Sequence, residues 1–248
     1  MYTIAISALI GLLAGGVWTA LDLWKSWQMG IVLFVLVSLA SFVLISRAFA
    51  RRIEPQLIAI QKHVQAQHVP LAIQQLEALL PLGRWQILLE GQIHAQIGLL
   101  TYALGNMERA EKHLAQAGYR ATEAQVAYAA LLYRTNRWGK AREVLDAAIR
   151  LNKKQIMPYH VYAWLLLKEG DRNAAIEKLL AAQKIEPSNE STVENLSRLQ
   201  NGKDLSMKRF GMLWFGLQLE RHPSAMGATP GGGMPFRKGF RQKPQRRH

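Results

Sequence analysis

Between Thr122 and Asn189 the sequence repeats itself at an interval of 34 residues, and that interval restricts the fold more than any other feature. Ala141, Leu145 and Ala148 recur as Ala175, Leu179 and Ala182; Asn136, in the turn before the first set, recurs as Gly170. Side chains four and three residues apart share one face of a helix. A small–large–small face lets two helices approach closely, and the large side chain fills the space beside the contact.

These residues resemble the tetratricopeptide repeat, a helix–turn–helix unit of 34 residues. The copy Ile156–Asn189 carries the pattern at Tyr159, Ala163, Leu166, Gly170, Ala175, Leu179, Ala182 and Pro187. The copy Thr122–Gln155 carries it at Ala129, Leu132, Asn136, Trp138, Ala141, Leu145 and Ala148, and departs from it at Lys153 and Gln125, where the family has a proline and an aromatic residue. Weaker units precede these two. Residues 91–121 hold Gly98, Gly105, Ala110, Leu114 and Ala117, with Gly105-Asn106 as the turn and Gly118 as an early helix stop. Ala110 lies 31 residues before Ala141, so this unit is three residues short. Residues 53–90 form a degenerate unit, with Ile53, Leu57, Ile60 and Val64 on one stripe, a break at Val69-Pro70, and Ala72 and Leu76 as the small–large pair. A solenoid needs a final helix over its last apolar face. Residues 190–200, with Val193, Leu196 and Leu199 on one side, are the expected cap.

The first fifty residues read as a membrane hairpin. Thr3–Ala20 and Gly30–Ser46 contain no charge, and each approaches the ~17–25 residues that span a bilayer. Trp18, Trp24 and Trp27 surround the connection, as interfacial tryptophans do. The connection carries Asp22 and Lys25, whereas Arg47, Arg51 and Arg52 follow the second run, which puts both termini on the cytoplasmic side. A cleaved signal peptide is disfavoured because no basic residue precedes Ile4. Gly11, Gly15 and Gly16 are candidates for close packing between the two runs.

After the repeats, residues 204–221 are strongly apolar and fit two patterns. Phe210, Leu213, Trp214 and Leu217 make a helical stripe, whereas Leu213, Phe215, Leu217 and Leu219 alternate as in a strand. The segment is expected either to pack on the repeats or to occupy their groove or a partner's surface. Residues 222–248 are rich in glycine and proline and are expected to be disordered. Six of the chain's net +14 charges lie there, on Arg237, Lys238, Arg241, Lys243, Arg246 and Arg247, interleaved with Phe236 and Phe240. Anionic lipid and RNA phosphates are both open as ligands of this tail.

No catalytic constellation is present. The seven histidines form no His-Glu-x-x-His pair, cysteine is absent, and Gly231-Gly232-Gly233 lacks the Lys-Ser/Thr of a phosphate loop. The chain reads as a non-enzyme with no cofactor or metal. The family resemblance implies instead a groove lined by the first helix of each unit: Tyr102, Tyr133, Arg134, His160, Trp164 and Lys168. These aromatic and basic groups suit a protein segment bearing apolar and acidic residues. The carboxylate clamp of chaperone-binding family members is absent, since the matching rows hold Leu57, Ala95, Val126 and His160, and Gln61, Leu99, Ala130 and Trp164.

The expected architecture is all-α: a two-helix transmembrane hairpin (1–50), a tetratricopeptide solenoid (51–203, with units 53–90, 91–121, 122–155 and 156–189 and the cap), an apolar segment and a basic tail. It is similar to bacterial inner-membrane repeat proteins such as the lipopolysaccharide-assembly regulators, though their cysteine metal knuckle has no counterpart here. The expected role is a scaffold recruiting a protein to the cytoplasmic membrane face in envelope or membrane-complex assembly. The alternative is a membrane-associated RNA- or ribosome-binding regulator acting through the tail. Partner, pathway and oligomeric state stay open.

Overall fold

The computed structural model describes residues 2–20, 27–86 and 88–220. The expectations for Trp24, for the Trp27 side chain and for the basic tail fall outside them. Every regular element among the described residues is helical. The chain runs through α1 (Tyr2–Ala20), α2 (Trp27–Gln65), α3 (Val69–Gly83), α4 (Leu89–Ala103), α5 (Met107–Leu114), α6 (Thr122–Arg134), α7 (Trp138–Leu151), α8 (Met157–Lys168), α9 (Arg172–Ile185) and α10 (Glu190–Gln200). A 3-10 turn (Lys208–Phe210) and the short α11 (Gly211–Phe215) follow.

α1 and the apolar part of α2, from Gln28 onward, are long and apolar enough to cross a membrane. They form an antiparallel hairpin through small residues. Thr3, Ser7, Gly11 and Gly15 are the buried side of α1. Gly11 faces Ser38, and a Cβ at Gly15 would come within 2.7 Å of the Gly30 carbonyl; Gly16 faces nothing, so only two of the three glycines are used for packing.

α2 continues without interruption to Gln65, 39 residues in all. At about 1.5 Å per residue it is roughly 58 Å long. The expected boundary at residue 50 therefore lies inside one helix, whose second half pairs with α3. Ile53, Ile60, Ala72, Ile73, Leu76 and Ile97 form a core joining α2, α3 and α4.

Five alternate helices, α2, α4, α6, α8 and α10, end in the same way. Gln67, Gly105, Asn136, Gly170 and Gly202 have φ of +63°, +80°, +58°, +87° and +73°. Each donates its N–H to the carbonyl three residues back, and the following N–H reaches five residues back: His68 to His63, Asn106 to Thr101, Arg137 to Leu132, Asp171 to Leu166 and Lys203 to Arg198. This is the Schellman closure, which satisfies two end carbonyls while turning the chain back. Glycine takes the left-handed conformation without steric cost, and asparagine tolerates it best among the others. The Asn136–Gly170 correspondence in the sequence is this turn.

After each turn the next helix packs on the last through its small–large–small face. Ala141, Leu145 and Ala148, and likewise Ala175, Leu179 and Ala182, are completely buried. At the α4–α5 crossing the small residue is Gly98, where a Cβ would lie 2.7 Å from Leu114 Cδ2. α5 stops at Leu114, and the Gly118 N–H donates to the Gly91 carbonyl at 3.1 Å. α4 and α6 touch, as do α6 and α8, so the first helices of successive pairs share one face.

On the other side, ion pairs tie one unit to the next. Arg109 meets Glu77 at 2.5 Å, Arg137 meets Glu111 at 2.6 Å, and Lys178 meets Asp146 at 2.9 Å. Asp146 reaches across to α9 and not to Arg150 one turn on in its own helix, because residues 32 apart stand side by side in a stack of this period. α10 also differs in detail. It buries Thr192, Asn195, Leu196 and Leu199, and leaves Val193 46% exposed.

Candidate functional site

The shared face of α4, α6 and α8 carries Tyr102 and Tyr133-Arg134 near the ends of α4 and α6, and His160, Trp164 and Lys168 along α8. The structure brings all six near one another. It also covers half of them: Tyr102, His160 and Trp164 are only 2%, 0% and 5% exposed. What covers them is α10, over His160, and the segment that follows it.

That segment is pinned residue by residue. Asn195 accepts the Ser206 N–H through Oδ1 at 2.8 Å and donates Nδ2 to the Ser206 carbonyl at 3.1 Å. Asn195 Nδ2 also reaches His160 Nδ1 at 3.2 Å, and His160 Nε2 lies 3.0 Å from Thr192 Oγ1. Because an amide nitrogen only donates, His160 Nδ1 accepts and Nε2 carries the proton toward Thr192. Burial pushes the His160 pKa down to about 4, so the ring is neutral and fixed in that tautomer. Phe210 packs on the same ring with centroids 4.8 Å apart.

Gly211, at φ +53°, is the first of the five residues of α11, and Gly216 follows the last. The two glycines that weaken a longer helix are its ends. No strand forms. α11 drives Trp214 into complete burial against Trp164, with ring centroids 5.2 Å apart and tilted 66°. Both indole N–H groups donate to one carboxylate, Trp164 to Glu220 Oε1 at 3.0 Å and Trp214 to Glu220 Oε2 at 2.9 Å. Lys168 Nζ stands 5.1 Å from the Trp164 ring, and Tyr133 meets the same ring edge-on at 6.4 Å.

Between these anchors the backbone itself is read. The Tyr102 hydroxyl donates to the Leu217 carbonyl at 2.5 Å, and Gln218 Nε2 donates to the Tyr102 carbonyl at 3.2 Å. Arg134 Nη1 donates to Gln218 Oε1 at 2.9 Å and to the Tyr102 hydroxyl at 3.3 Å. Burial raises the Tyr102 pKa against the opposing pull of Arg134, which keeps the phenol protonated as a donor. Four of the six predicted residues, Tyr102, Arg134, His160 and Trp164, thus contact the chain's own segment directly. Tyr133 and Lys168 brace Trp164.

Parts of the face stay open. A cleft of about 410 Å³ lies beside the end of the segment, walled by Tyr133, Trp138, Trp164 and Glu169. A larger cleft of about 760 Å³ lies between α2 and α4, where Glu54, Leu57 and Gln61 face Gln92, Gln96 and Leu99. Of these, Gln61, Leu57 and Leu99 sit at positions the repeat pattern assigns to the groove; Gln92 and Gln96 have no distinguishing signal in the sequence beyond being exposed one turn apart. Among the described residues, no group of three or more His, Asp or Glu side chains is disposed to hold a metal ion.

No protein-family model matches the chain, and a search of curated proteins finds no significant match.

Proposed function

We propose that this protein is a membrane-anchored scaffold of tetratricopeptide type, which uses the first-helix face of its repeats to hold a segment of another protein at the membrane. The observation that carries the proposal is the occupied half of the groove. Residues 205–220 lie there with their backbone, an aromatic anchor and a carboxylate each recognised by a side chain of α4, α6 or α8. A face that binds its own segment in this manner is chemically equipped for a peptide: donors for carbonyls, indoles for apolar rings, and indole N–H for an acid. The five repeated turn closures and the buried small–large–small faces support the repeat assignment. The length and apolarity of α1 and α2 support the anchor, and the arginines after Ser46 support a cytoplasmic array.

The partner's place in this proposal is the open cleft between α2 and α4, since the C-terminal half is filled. A photo-crosslinking residue at Gln96, exposed in that cleft, should capture a protein in cells, whereas one at Lys140 on α7 should not. Gln96→Arg should reduce capture from a crosslinker at Gln92 severalfold while leaving stability within about 0.5 kcal/mol. Lipid and self-adducts alone from both positions would sink the scaffold reading. Deleting residues 223–248 separates the alternative: if RNA association and activity disappear together while capture from Gln96 was never seen, the protein works through its basic tail.

A further inference from the structure

The apolar hairpin and the repeats meet at a second place besides the continuous α2. The first turn of α1 is docked on the connection between α3 and α4. The Tyr2 N–H donates to the Arg84 carbonyl at 3.3 Å, and the Thr3 N–H and Oγ1 both donate to the Trp85 carbonyl, at 3.4 and 2.6 Å. The first N–H groups of a helix have no partner inside it, so this connection acts as the cap of α1. Around the same point the Trp85 ring receives Tyr2 edge-on at 5.6 Å and stacks with Phe49 at 6.2 Å.

The level of this cluster follows from the hairpin register. Gly11 faces Ser38, Gly15 faces Phe34, and Gly30 faces Thr19. Carried back to the start of α1, the same register sets Tyr2 beside Arg47, where the uncharged run of α2 ends. α1 has 19 residues, about 28 Å of helix, close to the ~30 Å hydrocarbon thickness. Tyr2, Phe49 and Trp85 therefore stand where the apolar slab gives way to headgroups, the depth that amphipathic rings prefer.

Charge points the same way. Arg47, Arg51, Arg52 and Arg84 are exposed at this end of the hairpin, and among the described residues none of them takes part in an ion pair. Glu54 is the acid nearest in sequence to the three on α2. Four free guanidinium groups beside three aromatic rings match a layer of lipid phosphates, which guanidinium forks bind well.

We propose that the α3–α4 connection, through Trp85 and Arg84, is a lipid-docking surface that seats the repeats on the headgroup layer of an anionic bilayer. The inference rests on the membrane reading above and sharpens it. The repeats are clamped to the membrane at two points, α2 and the capped start of α1, instead of hanging from a flexible linker. The cleft between α2 and α4 begins at Ala50, one helical turn beyond Arg47, and so opens directly at the lipid surface. A partner segment for that cleft is one that runs along the membrane face.

The absence of native cysteine makes the test direct. Single fluorophores are placed on Gln86→Cys in the α3–α4 connection, on Leu39→Cys in the middle of the α2 span, and on Lys140→Cys, in the full chain reconstituted into bilayers containing phosphatidylglycerol. A nitroxide at the lipid headgroup should quench the Gln86 probe about fivefold more than the Lys140 probe, and Trp85→Ala should bring the two closer together. Replacing phosphatidylglycerol by phosphatidylcholine should weaken quenching at Gln86 by about half. If a mid-chain nitroxide quenches Leu39 while aqueous iodide reaches Gln86 and Lys140 equally, the docking surface is refuted and the anchor stands. If Leu39 is not quenched either, the membrane reading falls and takes this inference with it.

Discussion

The two halves of the first-helix face differ in what they offer and in what they hold. The C-terminal half presents Tyr102, His160 and Trp164, and it is filled by the chain's own segment. The N-terminal half presents Leu57, Gln61, Gln92 and Gln96, and it is open. The difference lies in the lining and in reach. The C-terminal half carries the large aromatic rings, whose apolar area is costly to leave in water, and residues 205–220 follow directly on α10 beside them. The N-terminal cleft has glutamines at its rim, hydrated without a partner, over an apolar lining that includes Ile53, Leu57, Leu89 and Leu100. In this protein the part of the face richest in aromatic rings is therefore the part already covered.

Three perturbations would break or sharpen that contrast. The largest effect is expected from Trp214→Ala, since the ring is fully buried and bridges Trp164 and Glu220. A loss of about 3–5 kcal/mol is expected, in the range for deleting a buried aromatic. Hydrogen exchange should then rise across residues 205–220 and on α8, while Ile93 and Ile97 in the core shared by α2, α3 and α4 stay protected. Equal loss of protection in both cores would show that the halves are not separable.

The second perturbation is pH. His160 is neutral when folded, with a pKa of about 4 against an ordinary value of 6.5. Between these values the unfolded chain binds more protons than the folded one, so stability falls as pH drops from 6.5 toward 4. The full shift corresponds to roughly 3 kcal/mol, with most of the change below pH 6. Burial also lowers His94 and His113, which face each other at 3.0 Å between α4 and α5, so the open half contributes in the same direction. Denaturant titrations from pH 7.5 to 4.5 should show His160→Gln removing the larger part of the slope. A slope unchanged in that variant would assign it to the His94–His113 pair.

The smallest of the three is Gly98→Ala. The added methyl would sit 2.7 Å from Leu114 Cδ2 and 3.1 Å from the Leu114 nitrogen, so α4 and α5 must separate. Overpacking of this kind costs about 1–3 kcal/mol. Contact between the open half and α5 should loosen while the 205–220 segment keeps its protection, and urea melts with exchange mapping would show it.

Much of the fold was legible in the residues. The period placed Ala141, Leu145, Ala148 and their counterparts on buried faces, because small side chains at helix crossings are a local requirement written into the pattern. Gly105, Asn136 and Gly170 marked the turns for the same reason, since each needs a left-handed backbone. The candidate site was legible only in part. Tyr102, Arg134, His160 and Trp164 do converge, yet their partner was not readable from them. Tyr102 and Leu217 are separated by 115 residues, and nothing local to either announces the hydrogen bond. The segment's own pattern fitted helix and strand alike, because two glycines five residues apart cut it too short for either period to dominate.

The sequence by itself determined the helices, their turns, the tight crossings and the apolar hairpin, all of which depend on residues within one or two turns of each other. Tertiary structure alone decided three things. It ran α2 through the expected domain boundary and past Pro55, with Ile53 and Ile60 packed into the core shared with α3. It laid residues 205–220 on the face shared by α4, α6 and α8. It capped α1 with the Trp85 loop. Each depends on surfaces distant in sequence meeting in space, where burial of rings and satisfaction of backbone groups select one arrangement among many that the local pattern permits.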